Sequence, residues 1–178
     1  ALSNSLTKIA ICSDSESSAS SSFAQEFMTA VYKDYGEIAP INCNFAQSNF
    51  NPQEVVDQAK VHNADALLLA ASVKGIKQAI SVAKANQQRL PLLGTHSLYT
   101  FETIEVGQDA VAGLVLTVPW LPDENKNHNF SLATKKYWGG NVNWRTAMDH
   151  DSTEAIIIGL EQSDNRSDLQ STLTHSLL

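Results

Sequence analysis

The sequence predicts an α/β fold: a parallel five-stranded doubly wound sheet followed by three helices. Three observations predict it. Short, continuously apolar runs recur through the first two thirds of the chain, as in strands buried on both faces of a parallel sheet. Between them lie segments of helical period with recognisable starts and stops. The alternation then ends at Pro119-Trp120, and only helical patterns follow. Strands alternating with helices imply right-handed βαβ crossovers and a parallel sheet.

The first strand is Lys8 to Cys12, and a serine-rich polar loop, Ser13 to Ser22, follows it. A helix comes next, with Phe23, Phe27, Met28 and Val31 on one face and Gly36 shortly past its end. Ile38 to Phe45 reads as the second strand. Asn51-Pro52-Gln53-Glu54 is a helix start, with Asn as cap, Pro in the first turn and Glu in the capping-box position. Val55, Val56 and Ala59 of that helix face the sheet. Ala66 to Ala71 is the third strand, almost pure Leu and Ala. Ile76, Ala79, Ile80 and Ala83 repeat at helical spacing, and Leu92 to Gly94 closes a fourth strand. Leu114 to Val118 makes the fifth. After the polar stretch 123–127, helices are expected around Ser131 to Tyr137, around Ala155, Ile156 and Leu160, and around Leu169, Leu173 and Leu177. Three terminal helices without strands need a sheet for their apolar faces, which places them in a second lobe whose strands lie elsewhere.

Composition narrows the function. The 178 residues carry a net charge of −7, so there is no basic surface for nucleic acid. No apolar run approaches the roughly 20 residues needed to span a bilayer. Cys12 and Cys43 both fall in expected strands, where free cysteines pack as small hydrophobes; a disulfide between neighbouring parallel strands is geometrically awkward. No zinc spacing is present.

Ligands of parallel sheets bind beyond the carboxyl ends of the strands. Thr95, His96 and Ser97 follow the fourth strand, and Ser72 follows the third. The serine-rich loop brings Ser18 and Glu16 to the same rim, and hydroxyls with backbone N–H groups at a helix start suit a carboxylate or another anion. His96 stands apart from His62, His128, His150 and His175, for which solvated positions are expected.

Common chemistries fail on specific residues. The first loop has no glycine, which rules out a dinucleotide fingerprint, and there is no P-loop. Asp14 and Glu16 suggest the acidic pair of a response-regulator receiver, but no aspartate ends the third strand and no lysine ends the fifth. His96 and Ser97 are adjacent, which disfavours a nucleophilic couple, and no Gly-x-Ser-x-Gly elbow exists. An enzyme on a flavodoxin-like sheet would need a nucleophile, base and orienting group that the sequence does not supply.

Several residues together carry a resemblance. Lys8-Ile9-Ala10-Ile11, Ala64-Asp65-Ala66-Leu67, Leu93-Gly94, and Gly107-x-Asp109-Ala110-x-x-Gly113-Leu114-Val115-x-Thr117-x-Pro119 occur in order. They precede a tail with Trp144-Arg145-Thr146-Ala147, His150-Asp151 and Ala155. The chain resembles the C-terminal half of type I periplasmic solute-binding proteins, in the branched-chain amino acid and amide-binding family of ABC transporters. That resemblance implies two lobes joined by a hinge and closing on a small solute. Residues 5–119 would form the second lobe, and residues 120–178 the hinge crossing and C-terminal helices of the first, whose remaining strands are absent from this chain. It implies an extracytoplasmic, non-catalytic binding protein without cofactor or metal, delivering its solute to a membrane permease. A ligand-sensing domain of a signalling receptor is the alternative on the same fold.

The ligand-binding set then comprises His96, Ser97, Thr95, Ser72, Ser18, Glu16, Tyr99 and Trp120, with Trp120 near the hinge. Family members that bind amino acids carry an acid where this chain has His96, and aromatic residues near Ser18 and Ser72. A histidine there cannot hold ammonium as an anion. The expected solute is therefore more polar than leucine, carrying a carboxylate or carbonyl to which His96 and the serines donate. Uncovered helix faces also raise the expectation of a homodimer.

Overall fold

A computed structural model describes residues 6–34, 36–122, 128–162 and 165–176. They form two compact units, Ala1–Thr117 and Val118–Leu178. In the first, β1 (Lys8–Ser13), β2 (Glu37–Ala39), β3 (Ala66–Ala70), β4 (Leu92–Gly94) and β5 (Val115–Leu116) alternate with α1 (Ser18–Lys33), α2 (Pro52–Val61), α3 (Ile76–Asn86) and α4 (Phe101–Gly107). All strand pairs are parallel, in the order β2-β1-β3-β4-β5. This flavodoxin-like order reverses direction between β1 and β3, where doubly wound sheets open a crevice.

Alternation within the strands builds two cores. Ala10 and Cys12 of β1 and Leu67 and Leu69 of β3 face Val56 and Ala59 of α2 and Ile80 and Ala83 of α3. Ile9, Leu68 and Ala70 face the other way, against Ala24 and Val31 of α1 with Phe23 and Phe27 beside them. All five residues of β3 are buried, as a central strand covered on both faces requires. The Asn51 side chain caps α2 by accepting from the amides of Gln53 and Glu54.

The fifth strand is confined to Val115–Leu116, shorter than the expected Leu114 to Val118, and four further expectations change. The serine-rich segment is a loop only as far as Ser17; the helix begins at Ser18, because the Ser17 hydroxyl accepts from the Ser20 amide as an N-cap. The second strand is three residues long rather than eight. Pro40 has no N–H to continue the ladder, and the chain turns away. Ala10 pairs with Ala39, which in register would set Ser13 opposite Asn42; Ser13 instead bridges Asn44, two residues later. That excursion carries Cys43 out of strand geometry. Cys12 and Cys43 form a disulfide with their Cα atoms 4.6 Å apart, against the expectation of two free thiols. The polar interval after β4 also contains α4, capped by the Thr100 hydroxyl accepting from the Thr103 amide at 3.1 Å.

Gly94 ends β4 where a side chain would force its leucine neighbours to shift. A Cβ there would lie 2.8 Å from both Leu116 Cδ2 and Leu98 Cδ1. The absence of a side chain lets β5 close against the turn that follows, a 3-10 helix at His96–Leu98.

The second unit holds α5 (His128–Trp138), α6 (Trp144–Glu161) and α7 (Arg166–Ser176). The Trp120 and Phe130 rings meet edge to face at 6.1 Å, and the His150 ring lies 4.6 Å from Phe130. Asn143 caps α6 through the amides of Arg145 and Thr146. Ile156, Ile157, Ile158 and Leu160 of α6 are exposed. Among the described residues no helix is long and apolar enough to cross a membrane. Residue 5, the segment 123–127, Leu177 and the side chains of His128 and His175 lie outside the described residues.

Candidate functional site

Parallel strands deliver their carboxyl ends to one edge, and here that edge is concave. Two adjoining cavities, of about 260 and 400 Å3, share Ser17, Ala19, Ser72 and Val73 as common walls. The first is completed by Ser20, Phe23, Ala71, Thr95, His96 and Ser97. The second reaches Asp14, Glu16, Ser18 and Lys74. The loops after β1, β3 and β4 therefore converge on one rim. Six residues expected from sequence, Glu16, Ser18, Ser72, Thr95, His96 and Ser97, are brought together there. Tyr99 caps the 3-10 helix, is 45% exposed and lines neither cavity. Trp120 belongs to the second unit.

Hydroxyl bookkeeping shows what the rim can offer. A serine or threonine hydroxyl has one proton and two lone pairs. Ser20 donates its proton to the Ala70 carbonyl and accepts from the Asp14 amide at 2.8 Å. Thr95 donates to the Ala71 carbonyl at 3.2 Å. Ser72 donates to the Asp14 carboxylate and accepts from the Gly75 amide at 3.1 Å. These three hydroxyls hold loops to strand ends. The expectation that the serines donate to a solute is therefore corrected at Ser72, which presents only its remaining lone pair to the cavities. Donors at this rim come from elsewhere. The Ser17 cap takes the Ser20 amide, while Ser18 and Ala19, whose first-turn amides have no intrahelical partners, line the larger cavity.

Asp14 is the residue whose role sequence reasoning missed. It is only 4% exposed, yet it lines the larger cavity. Its carboxylate accepts from the Glu16 amide at 3.0 Å and from the Ser72 hydroxyl, bridging the ends of β1 and β3 across the switch point. The signal in the sequence was an acidic residue one position past a buried strand. Below it, Asn44 accepts from the Ser15 amide at 3.1 Å and donates to the Ser15 hydroxyl at 2.7 Å, so the segment held by the disulfide supports the same loop.

The opposite edge of the sheet carries a different carboxylate. Asp65 accepts from the amides of Thr7 and Lys8 at 2.9 and 2.8 Å and from the Thr7 hydroxyl at 3.0 Å. The Lys8 and Thr7 amides, helped by the Thr7 hydroxyl and the Lys8 charge, hold its pKa below the usual carboxylate value against a smaller opposing effect of burial.

A doubly wound parallel sheet whose carboxyl-edge rim is built from three strand-end loops defines the class: an α/β lobe with its candidate site at the switch point. The chain belongs to the periplasmic binding protein family, whose sequence profile matches residues 3–175. Its fold is similar to that of a leucine-binding protein from Thermotoga maritima, at TM-score 0.79 and 18% identity over 96% of this chain and 50% of that one. A putative branched-chain amino acid ABC transporter protein from Rhodospirillum rubrum gives 0.73 and 20% over 97% and 51%. An ABC transporter substrate-binding protein from Desulfitobacterium hafniense, solved in complex with Leu, gives 0.64 and 18% over 96% and 48%. The chain thus spans about half the length of these structures, and at such identities the likeness concerns the fold. No curated protein matches the sequence.

Proposed function

We propose that this chain supplies one side of the cleft of an extracytoplasmic solute-binding protein serving an ABC uptake transporter. The observation that carries the proposal is convergence: loops after three strands place Ser18, Ser72, Thr95, His96 and Ser97 around two adjoining cavities in a chain of this family. No nucleophile–base–orienter set accompanies them among the described residues, which favours binding over catalysis. The first unit acts as the second lobe. The helices of the second unit, with Ile156, Ile157 and Ile158 exposed, cover strands of the first lobe that this chain does not contain. The solute meets the rim at the α1 amides, Ser18, Ser97 and His96, which accommodate a carboxylate, and a membrane permease receives it. The Cys12–Cys43 disulfide supports an oxidising, extracytoplasmic compartment, because cytosolic thiols stay reduced.

Calorimetry of the full-length gene product against amino acids, keto acids and amides tests the proposal. Saturable binding of a small polar solute, weakened about tenfold or more by His96→Ala or Ser97→Ala, is the expected result. Tight leucine binding, indifferent to both substitutions, would contradict it.

A further inference from the structure

We infer that His150, Asp151 and Glu154, on the exposed surface of α6, bind a borderline divalent cation of the zinc or nickel type. The inference is independent of the rim and of the solute-binding reading. Three observations carry it. The first is spacing. His150 and Glu154 stand at i and i+4 on α6, and Asp151 and Glu154 at i and i+3, so Glu154 is a surface neighbour of both. One ligand atom from each residue lies within 4.8 Å of the others. His150 Nδ1 is 3.4 Å from Asp151 Oδ1 and 3.9 Å from Glu154 Oε2. An ion held at about 2.0–2.2 Å from each donor needs those donors about 3–3.5 Å apart. Small rotations of exposed side chains supply the difference.

The second observation is charge. Asp151 and Glu154 are like charges brought together on one helical turn, which is unfavourable by itself. Among the described residues no lysine or arginine pairs with either, and the ion-pair partner of both is His150. With a neutral imidazole beside them, the carboxylates are balanced by a single divalent cation. The third observation is that a contact from outside the cluster places the imidazole. The His150 ring packs 4.6 Å from the Phe130 ring of α5, which in turn meets Trp120 edge to face at 6.1 Å. A ring already held loses less rotamer freedom on ligation.

An imidazole nitrogen with two carboxylate oxygens suits Zn2+, Ni2+ or Co2+, with water completing the shell. Mg2+ and Ca2+ take oxygen ligands and gain nothing from the imidazole. Zinc patterns count pairs of cysteine and histidine, so a lone histidine with carboxylates one and four residues on does not register among them. The bound ion would join the first half of α6 to the Phe130 contact and stabilise the second unit.

The test is calorimetry and thermal unfolding of the full-length gene product, stripped with chelator and titrated with Zn2+, Ni2+ or Mg2+. The variants are His150→Ala, Asp151→Asn combined with Glu154→Gln, and His62→Ala as a control. Zn2+ and Ni2+ should bind saturably and raise the melting temperature. Either site variant should weaken that binding about tenfold or more, His62→Ala should leave it unchanged, and Mg2+ should not bind at the same concentration. In the native protein, paramagnetic Ni2+ should broaden the amide signals of residues 150–154 first, a readout that does not depend on how the variants fold. Absence of Zn2+ and Ni2+ binding overturns the inference. So does binding that survives both site variants, broadening centred elsewhere, or tighter binding of Mg2+ than of Zn2+.

Discussion

Two carboxylates mark the two edges of the same sheet, and they are used differently. Asp65, at the amino edge, accepts two amides and a hydroxyl from Thr7 and Lys8, beside the Lys8 ammonium. Every one of those contacts ties β3 to β1. Asp14, at the carboxyl edge, is more deeply buried, has no ion-pair partner among the described residues, and contacts a serine that lines two cavities. The lesson is that a carboxylate saturated by backbone amides serves the fold. Asp14 instead accepts one amide and one hydroxyl at the wall of a cavity. The edges differ in bracing as well, since the carboxyl edge also has the disulfide.

The largest effect expected is on that brace. Closing a loop of 31 residues stabilises the fold by about 3–4 kcal/mol in the chain-entropy account, so Cys12→Ser with Cys43→Ser should lower unfolding free energy by about that much. Denaturant titration checks it. Because Asn44 holds Ser15, amide exchange should rise at Ser15–Ser17 and leave Thr7 and Lys8 protected. Gly94→Ala comes next, at about 1–3 kcal/mol, because its new methyl group meets Leu98 and Leu116. It should also displace Thr95–Ser97 and weaken solute binding, measurable by calorimetry.

At the amino edge, Asp65→Ala should cost about 1 kcal/mol at neutral pH and leave solute affinity unchanged. The sign follows from its lowered pKa. The carboxylate is favoured in the folded state, so its contribution is fully present above the unfolded value near 4. It fades as the pH falls through the lower folded value. The mutant and native stability curves should therefore converge in acid. A constant gap would show that shape, not charge, is what Asp65 supplies. The smallest effect is Lys74→Met, which removes the cation from the cavity wall and should tighten binding of an amine-bearing solute by a few fold, in calorimetry at low salt.

Much of the fold was legible because periodicity and caps agreed. The all-apolar β3, the Asn51-Pro52 start of α2 and the Ile76–Ala83 face of α3 each carry local signals that the core reinforces. What escaped was decided by tertiary context. Serines from Ser18 to Ser22 read as loop because serine competes for backbone hydrogen bonds, yet Ser17 caps them into helix and Ser20 is buried against Ala70. The disulfide escaped because Cys43 was placed in a strand that Pro40 ends early. The seven-residue α4 is too short to show a period. At the site, strand-end positions were legible for Ser72, Thr95, His96 and Ser97. Which hydroxyls were already spent was not, since the direction of a proton depends on partners 24 to 58 residues away.

The claim that recognition belongs to the carboxyl edge is tested most directly by amide chemical-shift mapping. A 15N-labelled full-length protein would be titrated with the L-amino acid that stabilises it most. The account predicts perturbations at Glu16–Ala19, Ser72–Val73 and Thr95–Ser97, with Thr7, Lys8 and Asp65 unmoved. Saturable shifts centred on Thr7, Lys8 and Asp65, with the three strand-end loops silent, would contradict it.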